Sequence, residues 1–501
     1  MANEIELKLS LPQEARGLLL RQSALKAATS RRTQQLVNLY YDTPSLALHR
    51  RGIALRLRKQ GRIWLQTVKG AGASSAGLTS RQEWELPYAG HFDFTAIDDP
   101  ALRHQLERPS VLGKLIPLFE TNFRRTTLRF EPAPGTVVHL MLDSGWVAVA
   151  GRREPISEVE IELESGDLGR IFGLVKTLAE RVPLAPLLLS KAERGYRLYQ
   201  NLHATPVKAL PVPLAAACAP LAAFRRIAFS CLEHQQGNRE GVLVSEEPEF
   251  IHQMRVATRR LRAALRLFAP RLPSGFADEL LPPLRQLMDK LGRARDLDVL
   301  LTEIAMPVMR ALPDEPRLAL LVGSVTNRQY AAREAATRHL RTHAYGRSML
   351  AATAALHGPH FGEAAGQDTV SAFAGERLKR LRKRVLALAD AASSDDPASL
   401  HRLRIGIKRL RYALEFFAPL CAAKALQALL RQLGVLQDEL GQLNDLASAG
   451  LLLGHCAGDD PRLREAVSLV GGWHASRYRE LLARVPERLT KLRRLRLPAM
   501  S

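Results

Sequence analysis

The chain is poor in cysteine, in aromatic residues and in uninterrupted apolar sequence, and it is short of acid relative to base. Only Cys218, Cys231, Cys421 and Cys456 occur, and none stands at a C-x-x-C or other metal-type spacing. That excludes a disulfide scaffold and a cysteine-built zinc site, and it places reduced thiols in a reducing compartment, the cytoplasm. Aromatic residues make up 6% of the chain and are rarely interleaved with the basic ones, so nucleic acid is disfavoured as a partner. No membrane span is expected either, because the most apolar stretch, Leu214 to Phe224, is short and broken by Pro220. The opening MANEIELKL is acidic and has no apolar core, so no signal peptide is expected. HExxH, GxSxG and Walker A patterns are all missing, which removes the zincin, serine hydrolase and P-loop chemistries.

What the chain has in excess is positive charge. Formal net charge is +22 over 501 residues. Residues 1–200 carry 28 Lys and Arg against 21 Asp and Glu, leaving 44 against 29 for the rest. An anionic partner follows, although charge alone does not choose between nucleic acid, phospholipid and polyphosphate. At this length two or more domains are expected.

The first 200 residues alternate apolar and charged positions in a way ordinary half-buried strands do not. Glu4, Glu6 and Lys8 share one face of EIELK, Arg56 and Arg58 one face of ALRLRK, Glu83 and Glu85 one face of RQEWELP, and Glu158, Glu160 and Glu162 one face of SEVEIELES. Stacked like charges on a solvated face repel one another. A closed barrel with a polar interior resolves the conflict, since acidic strands then face basic ones across a lumen that holds metal and polyanion. Strands are predicted at 4–9, 36–41, 53–59, 62–69, 81–88, 123–130, 137–142, 145–149 and 156–164, with amphipathic helices at 12–28 and 167–181 and a flexible loop at 69–77. Arg124 and Arg125 point to opposite faces of their strand, so only one of them lines the lumen.

Residues 201–213, rich in proline, read as an extended linker. Residues 214–501 are helical and internally repeated. IHQMRVATRRLRAALRLFAP (251–270) aligns without gaps on LHRLRIGIKRLRYALEFFAP (400–419), and the same offset of 149 carries LGRARDL (291–297) onto LGQLNDL (440–446). Two halves follow, about 215–360 and 370–490. Ile251, Met254, Thr258, Leu261, Leu265 and Phe268 form one core stripe, and Leu400, Leu403, Ile407, Leu410, Leu414 and Phe417 form its copy. Beside them run basic stripes, His252, Arg255, Arg259, Arg262 and Arg266 in one half and His401, Arg404, Lys408 and Arg411 in the other. Reproduced in both halves with few acids to neutralise them, they read as a polyanion surface.

The ordered set EIELKL, YYDTP, ALRLRK, the Lys69 strand, RQEWELP, FRRT, the Asp143 strand, EVEIELESGD and SKAERGY resembles the CYTH domain of the triphosphate tunnel metalloenzymes. The repeated HxxR(V/I)xx(R/K)RLR with LGxxxDL resembles the CHAD domain, a duplicated helical module, and the pair resembles the two-domain bacterial inorganic triphosphatases. The resemblance implies an α+β multidomain protein, an N-terminal antiparallel β-barrel tunnel with flanking helices followed by an all-α duplicated helical bundle. It implies Mg²⁺ or Mn²⁺ held by Glu4 and Glu6 with Glu160 and Glu162 opposite and Asp143 close by. Glu158 is a third in-register candidate, and which two of Glu158, Glu160 and Glu162 bind metal stays open. Lys8, Arg56, Arg58, Lys69, Arg125 and Lys191 would hold the phosphates. The expected activity is hydrolysis of tripolyphosphate to pyrophosphate and phosphate, with inorganic polyphosphate bound along His252, Arg255, Arg259, Arg262, His401, Arg404, Lys408 and Arg411. The alternatives are a thiamine or nucleoside triphosphatase, a class IV adenylate cyclase, and a polyphosphate-binding, granule-associated protein with little catalysis.

Overall fold

The computed structural model describes residues 2–361 and 368–500. By contacts the chain divides into two units, Met1–Thr205 with Arg341–Gly358, and Pro206–Leu340 with Pro359–Ser501.

In the first unit the period-2 segments become β1 (Ala2–Ser10), β2 (Ser30–Asp42), β3 (Ala54–Gln60), β4 (Ile63–Lys69), β5 (Ala73–Ser75), β6 (Leu78–Pro87), β7 (Ile116–Ala133), β8 (Thr136–Val149), β9 (Arg152–Ser165) and β10 (Ala185–Pro186). Eight of them close a barrel in the order β1-β9-β8-β7-β2-β3-β4-β6 and back to β1, every pairing antiparallel. β10 and the short β5 add to β1 and β6. The segments expected at 137–142 and 145–149 are one strand, β8, which carries Asp143 at its middle. The 69–77 segment contributes β5 rather than a loop throughout. Residues 12–28 are not one amphipathic helix: the Arg16–Leu20 helix is flanked by 3₁₀ turns at Gln13–Ala15 and Ser23–Ala27. Gly17 weakens the helix, and the turns still bury Ala15, Leu19 and Leu25.

The apolar face of this barrel points outward. Leu7, Leu9, Leu140, Leu142, Val159 and Ile161 pack against Ile171, Val175 and Leu178 of the Gly169–Ala179 helix and against Leu350. Hydrophobic burial therefore happens on the barrel's outside and leaves the interior to charge. Leu350 belongs to the His343–His357 helix, which comes from the middle of the helical sequence yet contacts β10 and the Gly169–Ala179 helix. Gly346 permits that approach, since a side-chain carbon there would overlap the Leu184 carbonyl oxygen. Gly346→Val is accordingly expected to destabilise the first unit by at least ~2 kcal/mol, seen as a lowered first transition on thermal unfolding. An unchanged melt would mean this helix is not held against β10.

In the second unit the repeat is visible in the caps as well as the cores. The Pro248–Phe268 and Pro397–Phe416 helices both begin with proline at the first turn, and Glu247 and Asp396 accept from Glu249 N and Ala398 N. Every residue of the two expected core stripes is buried. Phe268 stacks on Phe373 at 4.9 Å and lies 5.8 Å from its repeat counterpart Phe417. Among the described residues no helix is long and apolar enough to cross a membrane, and Cys231, Cys421 and Cys456 form no disulfide.

Candidate functional site

Closure of the barrel turns the charged faces inward around a cavity of about 250 Å³. Its walls include Glu4, Glu6, Lys8, Arg56, Arg58, Lys69, Arg125, Glu160, Glu162 and Lys191. Asp143 and Glu158 lie behind this wall and are almost wholly buried. Arg125 faces in and Arg124 faces out. The register places Glu6 beside Glu162 and Lys8 beside Glu160 on adjacent strands. Glu160 and Glu162 are thus neighbours of the β1 carboxylates rather than opposite them, because β9 pairs directly with β1. What stands across the lumen from β9, four strands away in either direction, is β3 with Arg56 and Arg58.

Two knots of charge hold the interior. In the first, Lys191 Nζ sits among Asp143 (2.7 Å), Glu160 (2.9 Å) and Glu158. Arg125 binds Asp143 through two nitrogens (2.8 and 2.6 Å) and Glu160 at 2.5 Å. Lys191 opens the Lys191–Tyr199 helix, capped by Ser190, and that helix reaches the barrel because a side chain at Gly195 would overlap the Phe119 ring. In the second, Lys69 bridges Glu4 (2.8 Å) and Glu83 (2.7 Å), and Arg81 binds Glu6 (2.9 Å) and Glu4 (3.3 Å). Lys8 joins Glu6 at 2.6 Å. Arg56 reaches Glu83 at 3.2 Å and Arg58 reaches Glu85 at 3.4 Å.

These contacts split the carboxyls into two kinds. Burial, with Glu160 and Asp143 adding, pushes the Glu158 carboxyl up despite Lys191. Burial again, then Glu4 and Glu6, raises Glu162 to about 7. Against the burial penalty, Lys191, Arg125 and Lys8 hold Glu160 well below its usual range. Lys69 and Arg56 overcome the same penalty at Glu83 and bring it to about 2. Burial with Arg56 and Arg125 nearby lowers the Arg58 guanidinium to about 10. Crowding of cations is thus paid where phosphate would relieve it.

Asp143, Glu158 and Glu160 each offer an oxygen within 4.8 Å of the others, and a set of hard oxygens suits Mg²⁺ or Mn²⁺ rather than a softer metal. The Lys191 ammonium occupies that carboxylate cluster as a cation of lower charge. Glu4, Glu6 and Glu162 form a second acidic patch alongside. Arg81 and Tyr40, which also line the cavity, were not picked out from sequence. Arg81 carries the same two-residue alternation as Glu83 and Glu85, which was the available signal. Tyr40 opens the YYDTP motif, and its place in the cavity wall follows from its pairing with Arg56 across β2 and β3.

In the second unit, Arg259, Arg262, His401 and Lys408 line a groove of about 450 Å³ together with Arg266 and Arg409, and with Arg377 and Arg384 from the Val370–Asp390 helix. Arg377 and Arg384 had no sequence signal, since their helix lies outside the aligned repeat segments. Arg255 donates to the Gly292 carbonyl (3.2 Å) and pairs with Asp296 (2.8 Å). Its counterpart Arg404 lies beside Gly441 and Asp445, the same arrangement shifted by 149. His401 contacts Asn444 at 2.5 Å, while His252 stands near Arg295, at the equivalent position, and is lowered by burial and that charge. Arg411 turns to Glu415 at 3.5 Å and does not line the groove.

The CYTH domain model matches residues 2–196 and the CHAD domain model residues 226–454. An inorganic triphosphatase of Haemophilus influenzae is 32% identical over 201 residues, which are 40% of this chain and 55% of that protein. The chain thus spans about half the length of that curated relative. The crystal structure of the CHAD domain from the plant Ricinus communis is 36% identical, covers 59% of this chain and 99% of its own, and superposes with a TM-score of 0.53. A solved putative adenylyl cyclase from Hippeastrum with a dominant triphosphatase activity is 19% identical, covers 40% of this chain and 95% of its own, and has a TM-score of 0.28.

Proposed function

Because the chain belongs to the CYTH family through its barrel and to the CHAD family through its helices, we propose that it is a divalent-metal-dependent inorganic triphosphatase with a polyphosphate-binding helical domain. The observation that carries the reading is the balance of charge in the tunnel. Lys8, Arg56, Arg58, Lys69, Arg81, Arg125 and Lys191 are matched by Glu4, Glu6, Glu83, Glu85, Asp143, Glu158, Glu160 and Glu162. Such a lumen has no net positive charge to offer a polyanion by itself, and a pure anion binder has no use for its carboxylates. With divalent cations on the acidic side it gains charge and a phosphate chain can enter.

Held by carboxylates of the two acidic patches, Mg²⁺ or Mn²⁺ would supply Lewis-acid contact to phosphate oxygens and a bound water of lowered pKa. The residues do the rest. Arg56 and Arg58 hold the chain on the wall opposite β9, Lys69 and Arg81 meet it on β4 and β6, and Arg125 and Lys191 meet it at the first acidic knot. Lys8, paired across strands with Glu160, is placed at the junction of the two patches. In-line transfer to water needs this neutralisation of the leaving phosphate and no covalent nucleophile.

The cavity lining is mostly charged side chains, a pattern that phosphates alone satisfy. This favours tripolyphosphate over ATP or thiamine triphosphate. Phosphate release from these three and from long-chain polyphosphate, with Mg²⁺ or Mn²⁺ present or chelated, tests it: tripolyphosphate should be turned over fastest and chelation should stop the reaction. Faster turnover of ATP would reassign the substrate, and activity surviving chelation would remove the metal. Arg56→Ala and Arg58→Ala should each raise KM and lower kcat, with a combined loss in kcat/KM of about 10- to 100-fold. A change confined to KM would place these arginines away from the scissile bond.

A further inference from the structure

The groove of the helical unit contains one primary amine among its guanidiniums. Among the described residues six arginines, His401 and Lys408 line it, and no carboxylate does. Lys408 projects from the Pro397–Phe416 helix at the position occupied in the other repeat by Arg259. Arg255 and Arg259 act on it from the facing repeat helix and Arg404 from its own, while Asp445 of the Ala423–Ala457 helix opposes them. Arg377 and Arg384 close the groove from a third helix. Asp445 is shared with Arg404, and among the described residues no ion pair or hydrogen bond reaches the Lys408 ammonium.

We propose that Lys408 is a modification site, a nucleophilic amine acylated by acyl phosphates, the mixed anhydrides of a carboxylic acid and phosphoric acid, whose phosphate is seated by Arg259 and Arg262. The neutral amine attacks the acyl carbonyl, a C–N bond forms and the C–O bond to phosphate breaks. The products are an N-acyl-lysine and inorganic phosphate, and the amine proton leaves with phosphate or water. No oxidant or further reactant enters. Two conditions favour this step. Partial burial, then Arg259, Arg404 and Arg255, bring the Lys408 ammonium down to about 7, so a large share of it is free amine at neutral pH, where an ordinary lysine is free to less than about one part in a thousand. The guanidiniums stay charged and cannot compete as nucleophiles, yet they bind the phosphate and neutralise it as it leaves. An acyl group there keeps the amine from taking up a proton when a polyanion binds and narrows the groove, so the modification would also weaken polyanion binding. The inference needs only the groove's affinity for phosphate and is independent of the triphosphatase reading.

The test uses the full chain with divalent metal chelated, incubated with acetyl phosphate at pH 7 and followed over time by peptide mass spectrometry at every lysine. Lys408 should be acetylated at least tenfold faster than the exposed Lys114 and Lys176. Its rate should rise with a midpoint near pH 7, and inorganic phosphate or long-chain polyphosphate should slow it without slowing the other two. Acetic anhydride, which carries no phosphate, should preserve the pH midpoint. A Lys408 rate at or below that of Lys114 overturns the nucleophile, and a fast reaction that phosphate leaves unchanged overturns the phosphate-directed site.

Discussion

Glu6→Gln is expected to lower tripolyphosphate turnover by on the order of a hundredfold or more at limiting Mg²⁺, and Glu4→Gln to do the same with less disturbance of the fold. Even residues that only support a ligand cost 10- to 100-fold when lost, by rough precedent, and an amide replacing a carboxylate takes away the charge a hard cation seeks. The two positions differ in their surroundings. Glu6 is buried against Lys8 and Arg81, so its neutralisation also leaves two cations under-compensated and should cost stability in the metal-free protein. Glu4 is only partly buried and pairs with Lys69 and Arg81, so its variant isolates the metal effect more cleanly. Raising the metal concentration should recover part of the lost rate in both. Wild-type turnover at limiting metal in either variant, or a loss that no metal concentration alters, would take the β1 carboxylates out of the metal site.

The faces of the barrel were legible because alternation with period 2 fixes which side chains share a side, and a purely acidic face beside a purely basic one makes sense only around a lumen. Strand order was not legible. Alternation says that Glu6 and Glu162 point the same way, but whether they are neighbours or stand across the lumen depends on which strands pair, and β1 pairing with both β9 and β6 is a long-range fact. Lys191 shows the same limit from the other side. The family resemblance placed it among the phosphate-holding cations, but its seat among Asp143, Glu158 and Glu160 comes from the Lys191–Tyr199 helix packing over the barrel. In the helical unit the offset of 149 predicted the two core stripes, and the structure repeats the same offset in the caps and in the Arg255–Gly292 and Arg404–Gly441 contacts, because duplication copies local and tertiary environment together. It could not predict that the His343–His357 helix serves the barrel, since an apolar helix face does not name its partner.

Removing three groove cations at once, Arg259→Gln, Arg262→Gln and Lys408→Gln in the full chain, is expected to weaken long-chain polyphosphate binding by about 100-fold or more, from roughly 1 kcal/mol or more per charged contact. These positions are better suited to the purpose than Arg255 and Arg404. Arg255 is tied to Asp296 and the Gly292 carbonyl, and Arg404 stands by Asp445, so a reversed charge at either would set acid against acid and disturb helix packing. Arg259 and Arg262, unlike those two, line the groove, and among the described residues each keeps, as Arg404 also does, a buried guanidinium Nε with no partner, a donor that a phosphate oxygen would satisfy. Binding should be measured by titration across a range of salt, because attraction that is mainly electrostatic falls steeply with ionic strength and the triple variant should show a shallower fall. Tripolyphosphate hydrolysis should be unaffected, since none of the three lines the tunnel cavity. Unchanged affinity in the triple variant, or tighter binding of duplex DNA than of polyphosphate by the wild type at matched salt, would take the polyphosphate role away from this groove.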